Sequence, residues 1–284
     1  GEERMKKHLS TIVLVLVFFI GCSLMLYPLV SDWWNSRVQS RAVADYDAAV
    51  GALSGHDYTD AFAQADDYNV RLAALTYPLA QYDQVEGYDD ALDVAGTGVM
   101  GYITIEKLKV ELPIYHGTSD AALAAGAGHL EGSSLPVGGA GTHAVISAHR
   151  GLPTSRLFTD LDKMEVGDTF TLTVLDRVLT YQVDQVLIVD PDDVAALQIE
   201  PGEDLCTLLT CTPYGINTQR LLVRGHRVDT PAAKNIYIAT EAYRLDSLIL
   251  APAVAAPMLL VLLVYLLVRY RRRDDDAPDN RKDA

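Results

Sequence analysis

Cysteine is scarce in this chain. Three occur in 284 residues, at positions 22, 206 and 211. No Cys-x-x-Cys and no His-x-x-x-His pair occurs, so the spacing that builds a zinc site is missing and no metal is expected. No glycine-rich phosphate loop occurs either, and no cofactor is expected. Basic residues are few as well: 23 Lys and Arg stand against 38 Asp and Glu, a formal net charge of −15. That balance argues against nucleic acid as a partner. It is compatible with a cationic peptide or a lysine-bearing protein. There is no internal repeat and no low-complexity tract.

What the chain does have is two long apolar runs. Thr11–Val30 and Leu248–Val268 contain no charged residue. A bilayer-spanning helix needs about 20 apolar residues, so both runs qualify. A signal peptide has a shorter apolar region, about 7–15 residues, followed by a small-residue cleavage site, and neither trait fits the first run. Tyr27, Trp33 and Trp34 fit an interfacial aromatic belt, so an uncleaved anchor is expected. Arg4, Lys6 and Lys7 precede the first run, and Arg269, Arg271, Arg272 and Arg273 follow the second. The positive-inside rule then predicts two spans in the cell membrane, both termini cytoplasmic, and the catalytic residues among 31–247 outside.

The expected organisation is a cytoplasmic segment 1–10, a span 11–30, a helical stalk 31–75, a lid or linker 76–99 and a β domain 100–228. A linker 229–247, a span 248–268 and a tail 269–284 complete it. Ser31 and Asp32 predict the N-terminal cap of a helix, carried on by Val38, Ala42, Tyr46 and Val50 at helical spacing. Ser54-Gly55 breaks it, and a second helix is predicted from Tyr58 to about Leu75. From Met100 the pattern changes to alternation. YITIEKLKVELPIYHG reads as strand, and so do residues 143–149, 168–175, 178–190, 204–211 and 220–228. Short strands separated by Gly, Pro and Asp turns predict a mainly β domain, a closed barrel or a sandwich.

Three residue types in this domain can cut and remake a peptide bond through a thioester. Cys211 ends its strand just before Thr212-Pro213-Tyr214-Gly215, where catalytic groups tend to sit. Cys206, five residues earlier, points to the other face and suits the core, so the two should not pair. A histidine is needed as acid and base. His143 and His149 share strand parity, so spacing does not choose between them. The loop-forming Arg150-Gly151-Leu152-Pro153 favours His149. Arg220 follows Cys211 by nine residues. If the chain turns at Pro213–Asn217 and returns antiparallel, Arg220 comes back beside Cys211 and can hold an oxyanion.

The segment TLLTCTPYGINTQR (207–220), with HRG at 149–151, resembles the active-site strand of a sortase. MGYITI (100–105), LPIYHGT (112–118), GHLEGSSLPVGG (128–139) and LFTDLDKM (157–164) resemble the pilin-polymerising class C branch. The resemblance covers roughly residues 100–228. It implies an eight-stranded closed sortase β-barrel, preceded by N-terminal helices and flanked by the two spans. It implies Cys211 as nucleophile, His149 as acid and base, Arg220 as the oxyanion or substrate-orienting residue, and Thr210 beside the substrate groove. The implied reaction cleaves an LPXTG-like sorting signal between Thr and Gly and passes the acyl group to a lysine of a secreted pilin. One departure stands out. The Asp-Pro-aromatic lid triplet of many class C enzymes is absent from residues 68–99, and Tyr77-Pro78 or Tyr82-Asp83 would have to replace it. Rival readings are a sortase of another class that uses a cell-wall peptide amine, and a non-catalytic pilus-assembly scaffold. A papain-like protease would place its histidine after its cysteine, whereas His149 precedes Cys211.

Overall fold

The strands follow from alternation, and their ends follow from turns. In the computed structural model the described residues are 2–53 and 55–230, with 258, 260, 261, 264 and 265 singly. Most of the expected second span 248–268, the tail 269–284 and nearly all of the linker 229–247 therefore lie outside the described residues. The chain divides into two units, Gly1–Ser31 with Tyr237–Ala284 and Asp32–Ile236. The second holds eight strands: β1 (Val99–Ile105), β2 (Val110–His116), β3 (Ala127–His129), β4 (Thr142–Ser147), β5 (Thr169–Val174), β6 (Arg177–Val189), β7 (Asp204–Thr212) and β8 (Gln219–Val228). They close into a barrel in the order β1-β2-β3-β4-β7-β8-β6-β5. The pairs β2–β3 and β4–β7 are parallel, and the rest are antiparallel.

Three elements differ from the sequence expectation. The alternating stretch after Met100 is two strands, because Glu106–Leu108 forms a tight turn and Lys109 takes a left-handed conformation at φ 54°. The strand β3 and the short helix α4 (Asp120–Ala125) were not expected. A strand of three residues has too little pattern to detect. The helix predicted to start at Ser31–Asp32 has no start there: α1 runs unbroken from Glu2 to Ala52. The Asp32 carboxylate does not cap its own helix but accepts the Arg156 N–H at 2.9 Å. Among the described residues, α1 is the one helix long and apolar enough to cross a membrane.

The C-terminal half of α1 and α2 (Gly55–Ala73) are part of the barrel domain. Tyr46, Phe62, Ala65, Tyr68 and Leu72 are buried in the same core cluster as Ile103, Leu172 and Leu208. The Tyr46 hydroxyl accepts the Leu175 N–H at 2.8 Å and donates to the Met100 carbonyl at 3.1 Å. The Arg177 guanidinium sits 3.5 Å from the Phe62 ring centroid, a cation–π contact. A free-standing spacer would leave those faces to water.

Candidate active site

Parity along β7 decides which side chains face the core. Cys206 and Leu208 lie in the barrel core, and Thr210 and Thr212 share their face and are buried. Leu209 and Cys211 therefore share the outer face. The two cysteines end up on opposite sides of the strand, as the five-residue spacing requires, and neither is disulfide-bonded. Burial pushes the Cys206 thiol well up, which keeps it protonated and inert. Cys211 is partly exposed.

Arg220 pairs directly with Cys211 across the antiparallel β7–β8 ladder. The hairpin expected from Pro213–Asn217 is the reason. Its guanidinium donates to its own strand at the Gln219 carbonyl, 3.2 Å away. Among the described residues it has no carboxylate partner, although the chain carries 38 acids.

On the other flank of Cys211 is the end of β4. The parallel register pairs Val145 with Thr207 and Ser147 with Leu209. The paired register ends there; continued by one step it would bring Ala148 beside Thr210, and by two His149 toward Cys211. Two bonds support that continuation: the Ala148 N–H donates to the Leu209 carbonyl at 3.1 Å, and the Thr210 hydroxyl donates to the Ala148 carbonyl at 2.7 Å. Thr210 thus faces the barrel interior, fully buried, and ties the two strands together from the face opposite Cys211.

His143 and His149, which parity left equivalent, differ in what their rings touch. His143 is buried, with one ring nitrogen 2.8 Å from the Gln198 carbonyl and the other 2.8 Å from the Thr207 hydroxyl. Both nitrogens are engaged, and burial pushes its imidazole pKa down. His149 is partly exposed, and among the described residues no hydrogen bond or ion pair engages its ring. Asp160 and Asp162 do not reach it. Asp160 pairs with Arg156 and Lys163, and Asp162 with Arg150.

The outer face below Cys211 is apolar. Val145, Leu197 and Leu222 are buried there, with Leu209, Leu187 and Val189 packed against them. Leu79, from α3 (Pro78–Gln81), packs onto the same cluster. The residues expected as a lid lie close by in the chain. Tyr77, Tyr82 and Asp83 are exposed, and Pro78 instead presses its backbone carbonyl close to Gly132. Gly132 has φ +83°, and a Cβ there would meet the Leu79 backbone at 2.7 Å. Two cavities, of about 430 and 300 Å³, lie elsewhere and do not include Cys211 in their walls. Among the described residues no cluster of His, Cys, Asp and Glu could hold a metal ion.

The sequence reading missed Leu79, Arg150 and Thr212. An apolar residue in a polar loop and an arginine next to the candidate histidine were the available signals. Neither says what it touches.

A partly exposed cysteine paired with an arginine across a β ladder suits acyl transfer. Residues 103–228 match the sortase domain family. Sortase A of Streptococcus agalactiae is 33% identical over 130 residues, 45% of this chain, and the match spans about half, 52%, of that relative. The structure of sortase C1 from Streptococcus agalactiae is 47% identical, with a TM-score of 0.61, and the match covers 67% of this chain and 100% of that one. The structure of Clostridium perfringens sortase C with the C-terminal cell wall sorting motif is 41% identical, with a TM-score of 0.58, over 67% of this chain and 100% of that one. The fold, the strand bearing Cys211 and these likenesses agree: the chain belongs to the sortase family of cysteine transpeptidases, in its class C branch.

Proposed function

We propose that this chain is a membrane-anchored pilin polymerase that uses Cys211, His149 and Arg220. The observation that carries the reading is the pairing of Cys211 with Arg220 across β7–β8, at the head of an apolar outer face; the tie of Ala148 to Leu209 and Thr210, one residue before His149, supports His149 as their partner. A peptide lying along that face would bury the apolar residues of an LPXTG-like signal against the partly buried Leu209, Leu187 and Val189. The Cys211 thiolate then attacks the Thr carbonyl carbon. Arg220 donates hydrogen bonds to the tetrahedral oxyanion. Protonated His149 gives its proton to the departing Gly amine, and the C–N bond breaks to leave a thioester on Cys211. A lysine amine of the next pilin attacks the thioester and loses its proton to His149. An isopeptide bond forms and the thiolate is released.

The apolar run at 11–30 supports anchoring by α1, with residues 31–247 outside and both termini on the cytoplasmic side. The Clostridium perfringens sortase C structure, with its sorting motif, supports a sorting signal as the substrate class. The test uses the full chain in lipid nanodiscs with an LPXTG-type peptide and a lysine-bearing pilin domain. Mass spectrometry should find an isopeptide-linked product whose formation requires the acceptor lysine. Release to water or to a cell-wall peptide amine, with no pilin-linked product, would overturn the polymerase reading in favour of an anchoring enzyme.

A further inference from the structure

The β4–β7 ladder stops before it reaches the reacting groups. Its last paired residues are Ser147 and Leu209. Beyond them two side-chain bonds continue the tie. The first is the Thr210 hydroxyl on the Ala148 carbonyl, 2.7 Å, one residue before His149 and Cys211. The second comes one residue after them: Arg150 Nη1 donates to the Thr212 hydroxyl at 3.1 Å. His149 and Cys211 are therefore bracketed. Arg150 is placed for this by its other contacts. Its Nε donates to the Thr159 carbonyl at 3.2 Å, and its Nη2 pairs with the Asp162 carboxylate. Its side chain is only 8% exposed. A buried guanidinium with all three nitrogens engaged has one available geometry.

We propose that Arg150 is a positioning residue whose guanidinium fixes the spacing between the His149 imidazole and the Cys211 sulfur. It touches neither the substrate nor the reacting atoms. It acts through the peptide bond to His149 and through Thr212, the neighbour of Cys211. The inference rests on the assignment of Cys211 and His149 proposed above. A lysine could not replace it, because one ammonium cannot serve Thr212, Thr159 and Asp162 in a planar fork.

The test uses the full chain in nanodiscs and reads two quantities. One is the rate of thioester formation with an LPXTG-type peptide. The other is the pH profile of Cys211 alkylation by iodoacetamide, which needs no peptide recognition. The part of that profile due to His149 is the difference between wild type and His149→Ala. Arg150→Ala should slow thioester formation by about 10²-fold at nearly unchanged KM, the order expected when a reacting group is displaced by an ångström. Its alkylation profile should collapse onto that of His149→Ala. Added guanidinium chloride should restore both, and ethylammonium should not. Thr212→Val removes one acceptor at nearly constant volume and covers the case in which Arg150→Ala does not fold. It should lose about tenfold. Wild-type rate and profile in both variants would overturn the inference. So would a slowed variant that keeps the His149-dependent profile and ignores guanidinium. A wild-type enzyme whose profile equals that of His149→Ala would overturn the assignment beneath it.

Discussion

At the scale of single residues, chemistry here is sorted by which face a side chain takes and by what already holds it. Cys211 and Cys206 differ by parity, and that much was legible in the spacing. His143 and His149 have the same parity, and only the loop-forming residues after His149 favoured it in the sequence. What holds the His143 ring is Gln198 and Thr207, which reach it from 55 and 64 residues away. Such contacts have no local pattern. The two histidines therefore predict opposite phenotypes. His143→Ala should destabilise the protein by about 2 kcal/mol, the scale for orphaning buried hydrogen-bond partners, and leave thioester formation intact. His149→Ala should retain the melting temperature and lose thioester formation. Thermal melts and acylation rates on the same preparations check both. Arg220→Ala should lower the acylation rate by about 10²–10³-fold, as removal of an oxyanion donor does, with Arg220→Lys intermediate.

At the scale of elements, the pieces that matter most are those that reach across the barrel. The six strand windows read from alternation account for seven of the eight strands, the first window covering both β1 and β2, because half-buried strands keep a period of two. The continuous α1 was not legible, because Ser31–Asp32 is a good cap in isolation and only the fold shows Asp32 committed to Arg156. Asn35 and Gln39 of α1 reach the same loop, donating to the Thr154 carbonyl at 2.8 Å and the Ser155 hydroxyl at 3.2 Å. This loop follows β4 and carries His149 near its start. Asp32→Ala should raise amide hydrogen exchange at Arg156 and its neighbours, where the N–H loses its acceptor. Unchanged exchange would mean that the helix does not restrain the loop. The α3 segment carries a second expectation. Leu79 covers part of the apolar face, and a half-buried leucine contributes about 1 kcal/mol. Leu79→Asp should uncover that face and speed thioester formation on Cys211 with an LPXTG-type peptide by roughly fivefold. The same rate in wild type and variant would mean that Leu79 does not obstruct a peptide.

At the scale of the whole molecule, stability is tied to a histidine outside the chemistry. His129 is fully buried. Its Nε2–H donates to the Ser134 carbonyl at 2.8 Å, and Nδ1 accepts from the Tyr88 hydroxyl at 2.9 Å. Burial lowers its pKa to about 4, against an ordinary value of 6.5. The unfolded chain therefore takes up a proton as pH falls below 6.5, while the folded one stays neutral until about 4. Stability is intact above pH 6.5 and falls across that window by about 3 kcal/mol. Unfolding followed from pH 7 to 4 should show this slope, and His129→Gln should flatten it. An equal slope in the variant would place the acid sensitivity elsewhere.

The central claim is that the partly exposed outer-face thiol, and not the buried one, carries the acyl group. Intact-mass trapping with an LPXTG-type peptide tests it in wild type, Cys206→Ala and Cys211→Ala. The structure predicts a thioester adduct in wild type and Cys206→Ala, mapped to Cys211, and none in Cys211→Ala. An adduct that survives in Cys211→Ala, or that maps to Cys206, would contradict the account.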